Sequence, residues 1–151
     1  LCETILFAQN VSLFGNGNQI GLCVRNGASA IMEHSVIRGS QTGLFIDRTS
    51  HAHLSLTAVT NCELIFNSES KSSFFDYNVY EGKQIRWLGT VFSSVQWAEY
   101  VKFSQRDRHS QIGTVKVAQD GIVSIPADST AAGIEKPIGP TAAFTLAFPK
   151  N

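Results

Sequence analysis

The stretch Gly21-Leu22-Cys23-Val24 recurs 22 residues later as Gly43-Leu44-Phe45-Ile46, and a looser copy, Glu63-Leu64-Ile65-Phe66, follows after 20 more residues. A repeat of this size is one supersecondary unit that stacks on the next one. Aligned by the repeat, the apolar side chains form three columns: Leu22, Leu44 and Leu64; Cys23, Phe45 and Ile65; Val24, Ile46 and Phe66. The pattern predicts a stack of similar coils.

The segments between the copies indicate what each coil contains. Apolar runs rich in Val, Ile, Leu and Phe alternate with Gly, Asn, Ser and Thr turns over residues 4–80. Runs this short favour strands over helices. Each coil then holds about three strands, and the middle strands are predicted at Val11-Ser12-Leu13, Val36-Ile37 and Ala58-Val59. A β-sandwich also has short strands, but it does not align like residues at one period, so a parallel β-helix is predicted.

The repeat stops after about residue 80, where the pattern changes to a helix. Ser93 is placed to cap a helix over residues 93–103, with Gln96 three residues on as its capping-box partner. Trp97 and Val101 then share one helix face. Strands are predicted again over residues 113–117 and 121–125, and an apolar run at residues 142–148 predicts a last strand that covers an end or an edge.

Composition excludes several classes of function. Twelve Lys and Arg balance twelve Asp and Glu, and there is no basic run, so no nucleic-acid partner is predicted. No apolar stretch approaches the roughly 20 residues of a membrane span, so no membrane partner is predicted. Three scattered cysteines suit neither a disulfide framework nor a metal site, and Cys23 and Cys62, which lie in apolar runs, are predicted to be buried thiols.

A resemblance to a known superfamily begins at Asp76-Tyr77-Asn78-Val79-Tyr80. The pieces that follow in order are Arg86-Trp87-Leu88-Gly89, residues 93–97, Gln105-Arg106-Asp107-Arg108-His109-Ser110 and residues 122–133. This series resembles the C-terminal part of right-handed parallel β-helix proteins of the pectate-lyase-like superfamily. Ser104 departs from the pattern, where Gly is usual, and so does Arg108, where a small residue is usual.

The resemblance implies an all-β, right-handed parallel β-helix of few coils, with a C-terminal cap that contains a hairpin and one short α-helix. Within one structural domain we expect coils over residues 1–80, a hairpin–helix cap over 81–118, and strands with an extended tail over 119–151. The resemblance also implies that further coils precede this chain. It suggests an extracellular or periplasmic location and a polysaccharide or oligosaccharide partner.

The expected activity is that of the C-terminal part of a polysaccharide lyase or a glycoside-hydrolase-like protein. Lyases of this fold need a base and a cation beside an acidic sugar, and hydrolases need two carboxylates. Acid, base and cation concentrate in one part of the chain, at Glu33, His34, Arg38, Asp47 and Arg48, which are therefore the predicted catalytic residues. The alternative is a solvated turn with incidental histidines.

Four later residues are predicted to bind substrate. Tyr77 suits stacking on a sugar beside Asp76, and Asp107 with His109 suits an acid–base pair. The alternatives are that Asp76 caps a turn, that Tyr77 fills the coil end, and that Asp107 and His109 brace the loop after the helix.

No cofactor is predicted from the residues. His51 and His53 would share one side of a strand, but no third ligand is evident, so no metal site is predicted. The resemblance allows Ca²⁺, which needs clustered carboxylates, and no motif supports it. The competing hypothesis is a non-catalytic module, either a glycan-binding surface or a structural piece whose open coil end, near residues 1–10, pairs with upstream coils or with another chain.

Overall fold

A computed structural model describes residues 4–134 and 136–141 of the chain, which form a β-solenoid of about four coils with parallel sheets. The predicted parallel β-helix is therefore confirmed. The strands of the four coils are β1 (Ile5–Gln9), β2 (Ser12–Phe14) and β3 (Ile20–Val24); β4 (Ser29–Glu33), β5 (Val36–Arg38) and β6 (Thr42–Ile46); β7 (His51–Ser55) and β8 (Ala58–Ser68); β9 (Phe74–Asp76) and β10 (Val79–Trp87).

Stacking of the coils produces three faces. The first face is the sheet β1-β4-β7-β9. The second face contains β2, β5 and the first halves of β8 and β10. The third face contains β3, β6 and the second halves of β8 and β10. The middle strands predicted in each coil are confirmed by the second face, where Ser12, Val36, Ala58 and Val79 stack in register.

The third face corrects the predicted register of the last repeat. Leu44 stacks on Phe66 rather than on Leu64, so the step is again 22 residues and not 20. A shift of two residues keeps every side chain on the same face of a strand, so the apolar pattern does not distinguish the two registers. Successive side chains of a strand point to opposite sides of the sheet, so a cysteine in an apolar run can face either way. Cys62 is buried as predicted, whereas Cys23 is exposed, so the prediction for Cys23 is wrong.

The corner between the first and second faces has a repeated backbone conformation. The residue at the corner has a positive φ in each coil, at Asn10, His34, Leu56 and Tyr77. In the second, third and fourth coils the side chain of the next residue accepts a hydrogen bond from the backbone N–H of the preceding coil: Ser35 from Val11 (3.1 Å), Thr57 from Ser35 (3.3 Å) and Asn78 from Thr57 (3.1 Å). Ser110, in the segment after the helix, continues the series by accepting from the Asn78 N–H at 2.9 Å. This buried polar ladder satisfies backbone groups that the corner leaves unpaired.

A hairpin and a helix close the last coil, as the resemblance implied. Strand β10 turns through Leu88 and Gly89, which both have positive φ, into the antiparallel strand β11 (Thr90–Ser93). A 3-10 turn (Ser94–Gln96) leads into helix α1 (Trp97–Ser104), and Gln96 accepts the backbone N–H of Ser93 at 3.1 Å. The capping box is confirmed, although the α-helix begins four residues after the predicted start. Tyr100 and Trp87 are buried in the main core, and Trp97 packs against it.

The chain after the helix covers the outer side of the second face. It contains β12 (Gln111–Ile112), which pairs with β10, and the hairpin of β13 (Lys116–Val117) and β14 (Val123–Ser124). A second core forms there from Val36, Ala58 and Val79 of the face and Val115, Ala131 and Ile138 of the covering segment. Thr141 then reaches coil 1, where its backbone N–H donates to Asn10 Oδ1 at 3.0 Å. The strand predicted at 142–148 lies outside the described residues.

The two ends of the described solenoid differ. At coil 1, Leu6 is 43% exposed, although the residues stacked below it, Ala30 and Ala52, are buried. Coil 4 is covered by helix α1 and extends to Trp87, beyond the boundary expected at residue 80. The described helices include none that is long and apolar enough to span a membrane.

Candidate functional site

The predicted catalytic residues Glu33, His34 and Arg38 lie in three different environments. Glu33 lies at the end of β4, where its carboxylate accepts a long hydrogen bond of 3.4 Å from Ser55. His34 occupies the corner position with positive φ. Arg38 lies at the end of β5, and its guanidinium donates to the Val117 carbonyl oxygen at 3.0 Å, which fixes it against the covering segment.

Asp47 and Arg48 lie at another corner of the coil, between the third and first faces. Asp47 accepts the Asn26 N–H at 2.8 Å and the Thr49 N–H at 3.0 Å, and these hydrogen bonds, chiefly the one from Asn26, lower its pKa to about 2. The carboxylate therefore links two turns. In the described part of the chain, no hydrogen bond or ion pair joins any two of the five predicted catalytic residues.

Three of the four predicted substrate-binding residues do come together. His109 Nδ1 lies 2.8 Å from Asp76 Oδ2, and the His109 N–H donates to Asp76 Oδ1, also at 2.8 Å. The His109 ring stacks on Tyr77 with 4.6 Å between centroids, and the Lys136 ammonium lies 3.8 Å from the centroid of the Tyr77 ring. The Asp76 side chain is only 12% exposed. This cluster joins the last coil to the C-terminal segment, which favours the bracing alternative.

Asp107 does not pair with His109. Its buried carboxylate accepts hydroxyl hydrogen bonds from Tyr80 (2.8 Å), Tyr100 (2.7 Å) and Ser110 (2.6 Å). Burial raises the pKa of Asp107 to about 6, and the three hydroxyl donors oppose that rise. The carboxylate thus joins the helix to the last coil from inside the protein, out of contact with solvent.

A groove lies away from these predicted residues, at the corner between the second and third faces. An open groove of about 750 Å³ runs there along the solenoid axis and crosses all four coils. We call it the axial groove. Each coil contributes three lining residues: Gly15, Asn16 and Gly17; Gly39, Ser40 and Gln41; Asn61, Cys62 and Glu63; Glu81, Gly82 and Lys83.

Small residues give the axial groove its shape, because the chain bends where neighbouring coils nearly touch. A Cβ atom on Gly82 would lie 2.6 Å from the Cys62 carbonyl oxygen, and one on Gly15 would lie 2.4 Å from Ser40 Oγ. Such distances are shorter than van der Waals contact, so a side chain at either position would push the coils apart. The polar residues Asn16, Gln41 and Asn61 remain exposed along the groove.

The two carboxylates of the axial groove have different environments. Glu63 is exposed and lies 2.7 Å from the Lys83 ammonium. Glu81 is half-buried, and burial raises its pKa, whereas the Val115 N–H and the Arg38 guanidinium act in the opposite direction. Glu63 is thus paired with a cation at the surface, whereas Glu81, one coil away, is partly withdrawn from water.

None of these lining residues was among the predicted site residues. The available signal was the position of the turns, since the turns at Gly15-Asn16-Gly17 and Gly39-Ser40-Gln41 are about one period apart. Stacking places such turns above one another. The two later coils cross the same corner inside the long strands β8 and β10, where no turn signal marks it, and residues 81–83 were expected to belong to the cap.

A second surface is apolar rather than polar. The outer side of the first face carries the stacked residues Phe7, Ile31, His53 and Phe74, beside a cleft of about 360 Å³. Phe7 is 74% exposed. Its lining is mostly apolar, and the hydrogen-bonding side chains among the described lining residues are those of Ser29, His51, His53 and Ser72.

Among the residues that the structure describes, no group of three or more His, Cys, Asp and Glu side chains is arranged to hold a metal ion. Comparison with family models, with curated proteins and with solved structures gave no match. The resemblance to the pectate-lyase-like superfamily therefore stays a prediction, whereas the β-solenoid is shown by the structure.

Proposed function

We propose that this protein is a carbohydrate-binding β-solenoid whose axial groove holds a segment of a polysaccharide. The observation that carries the proposal is that all four coils present polar groups to one continuous groove. Its volume lies within the range typical of ligand sites. The proposal selects the non-catalytic form of the expected carbohydrate-related function.

The spacing of the coils suits a polymer of sugars. Neighbouring rungs of a solenoid are ~4.8 Å apart, so four coils span ~14 Å along the axis. An extended glycan advances by a comparable length at each sugar, and the groove therefore accommodates about three sugar units. A chain that lies along the axis would meet a similar set of groups at each step.

The chemistry of the lining also suits sugars. The amide side chains of Asn16, Gln41 and Asn61 each offer a donor and an acceptor, which match the paired hydroxyl groups of a sugar ring. The Glu63 side chain adds an acceptor on the third coil, and the Lys83 side chain adds a donor on the fourth. No aromatic side chain lines the groove in the described residues, so hydrogen bonding would supply most of the recognition.

A second candidate function is hydrolysis of a glycosidic bond in the same groove. It is favoured by the contrast between Glu81, which is half-buried and whose pKa is raised by burial, and Glu63, which is exposed and lies 2.7 Å from the Lys83 ammonium. Paired carboxylates with such different environments suit a general acid and a base or nucleophile. In this case Glu81→Gln would abolish release of reducing ends from a bound glycan, whereas a binding module releases none.

The binding proposal is tested by screening the purified protein against immobilised polysaccharides and then comparing variants on the best one. Gln41→Ala removes a lining amide, and Asn61→Gly removes another without straining the positive φ of 51° at that position. Each change is expected to weaken binding about 5- to 30-fold, the effect of losing one or two hydrogen bonds.

Gln119→Ala provides a matched control, because Gln119 is an exposed amide that does not line the axial groove. It should bind as the wild type does. Equal affinities for wild type, Gln41→Ala and Asn61→Gly would show that the glycan binds elsewhere, and failure to bind any polysaccharide would remove the proposal.

A further inference from the structure

We infer that the axial groove selects neutral glycans over acidic ones, an inference that rests on the proposed glycan binding. The reason is the balance of charge along the groove. Glu63 and Glu81 line it, and among the described lining residues Lys83 is the only cation. The groove therefore carries more negative than positive groups.

The cations near the groove already have partners. The Lys83 ammonium lies 2.7 Å from a Glu63 carboxylate oxygen. The Arg38 guanidinium donates to the Val117 carbonyl oxygen, and its charge acts on Glu81. A sugar carboxylate that entered the groove would have to displace Glu63 from Lys83, or compete with the Glu81 carboxylate for the charge of Arg38.

Neutral sugars avoid this conflict. Their hydroxyl groups donate to the carboxylates and accept from the ammonium and amides without removing a partner from an ion pair. Because Glu63 and Lys83 are exposed, the penalty for an acidic sugar is modest and is screened by salt. Two unit charges about 6 Å apart in water give roughly threefold discrimination at low salt, so two facing carboxylates give roughly tenfold.

The experiment compares oligomers that share a backbone and differ in charge. The probes are β-1,4-linked hexamers of glucose and mannose and the corresponding hexamers of glucuronate and mannuronate, titrated by calorimetry at 20 mM and 300 mM NaCl. We expect each neutral hexamer that binds to do so about tenfold more tightly than its uronate partner at 20 mM NaCl. The ratio should fall to about threefold or less at 300 mM.

Charge removal within the groove provides the second arm. Glu63→Gln with Glu81→Gln leaves Lys83 without its carboxylate partner, so the ratio of neutral to uronate affinity should fall at least tenfold. Glu69→Gln makes the same change of charge at an exposed position that does not line the groove, and it should leave the ratio unchanged.

The outcomes separate the two proposals. Uronate hexamers that bind as tightly as their neutral partners or more tightly, with or without 2 mM CaCl₂, would overturn the selectivity and leave glycan binding in place. An unchanged ratio in the double variant would show that Glu63 and Glu81 do not set the selectivity. Absence of binding by all four hexamers and by every polysaccharide in the screen would overturn both proposals.

Discussion

Asn78 is the most informative position for testing how the coils are joined. Its side chain is fully buried, accepts the Thr57 N–H at 3.1 Å and donates to the Leu54 carbonyl oxygen at 2.9 Å. Asn78→Leu keeps a side chain of similar size but leaves both backbone groups buried without a partner. Each such group costs about 1–3 kcal/mol, so we expect a loss of about 2–6 kcal/mol in the free energy of unfolding.

The measurement is urea unfolding followed by circular dichroism. With a slope of about 2 kcal/mol per molar urea, a loss of that size moves the midpoint by about 1–3 M. Asn67→Leu is the matched control, because Asn67 Oδ1 is buried with no hydrogen-bond partner among the described residues. That substitution removes an unpaired acceptor and should be neutral or stabilising. Equal midpoints for the two variants would refute the role given to the polar ladder.

Three further predictions concern the cap and the corners. The pKa of Asp107 is higher in the folded protein (about 6) than the reference value of 3.8, so protonation of this carboxyl stabilises the fold at low pH. The free energy of unfolding of the wild type should therefore fall by about 2–2.5 kcal/mol between pH 4 and 7 relative to Asp107→Asn, as measured by urea titrations across that range. Parallel pH profiles would contradict this. Gly43→Ala should lower the free energy of unfolding by several kcal/mol, because the new Cβ would lie 2.5 Å from the Ile65 carbonyl oxygen. Gly133→Ala is the control, since no atom lies within 4 Å of its new Cβ, and it should leave the thermal midpoint nearly unchanged. Equal midpoints for the two variants would show that the corner can relax. Leu88→Asn should stabilise the hairpin by up to about 1 kcal/mol, because Asn tolerates the positive φ of 49° better than Leu; a lower thermal midpoint would contradict this.

The architecture was largely predictable because the repeat acts on every coil at once. Columns such as Leu22 with Leu44 reflect side chains that touch in the folded protein, and the capping box of Ser93 and Gln96 is a local signal that the structure confirms. The register of Phe66 was not predictable from the apolar pattern, since a shift by two residues preserves which side chains face inward.

The candidate site was much less predictable. Charged residues that lie close in sequence, such as Glu33 and Asp47, are separated by the coil geometry, which sends them to different corners. Residues of the axial groove are instead one coil apart in sequence, so Gln41 and Glu63 come together only when the turns are stacked. Asp76 and His109 are joined across 33 residues because the cap returns the chain to the last coil.

The central claim is that a glycan lies along the axial groove, and the most direct test is to map its contacts. Backbone amide shifts of the ¹⁵N-labelled protein would be followed during titration with the tightest-binding oligosaccharide from the screen. The account predicts perturbed amides in one line along the axis, at Asn16, Gln41, Asn61 and Lys83, one for each coil. Perturbations confined to the first face, around His53 and Phe74, would contradict it.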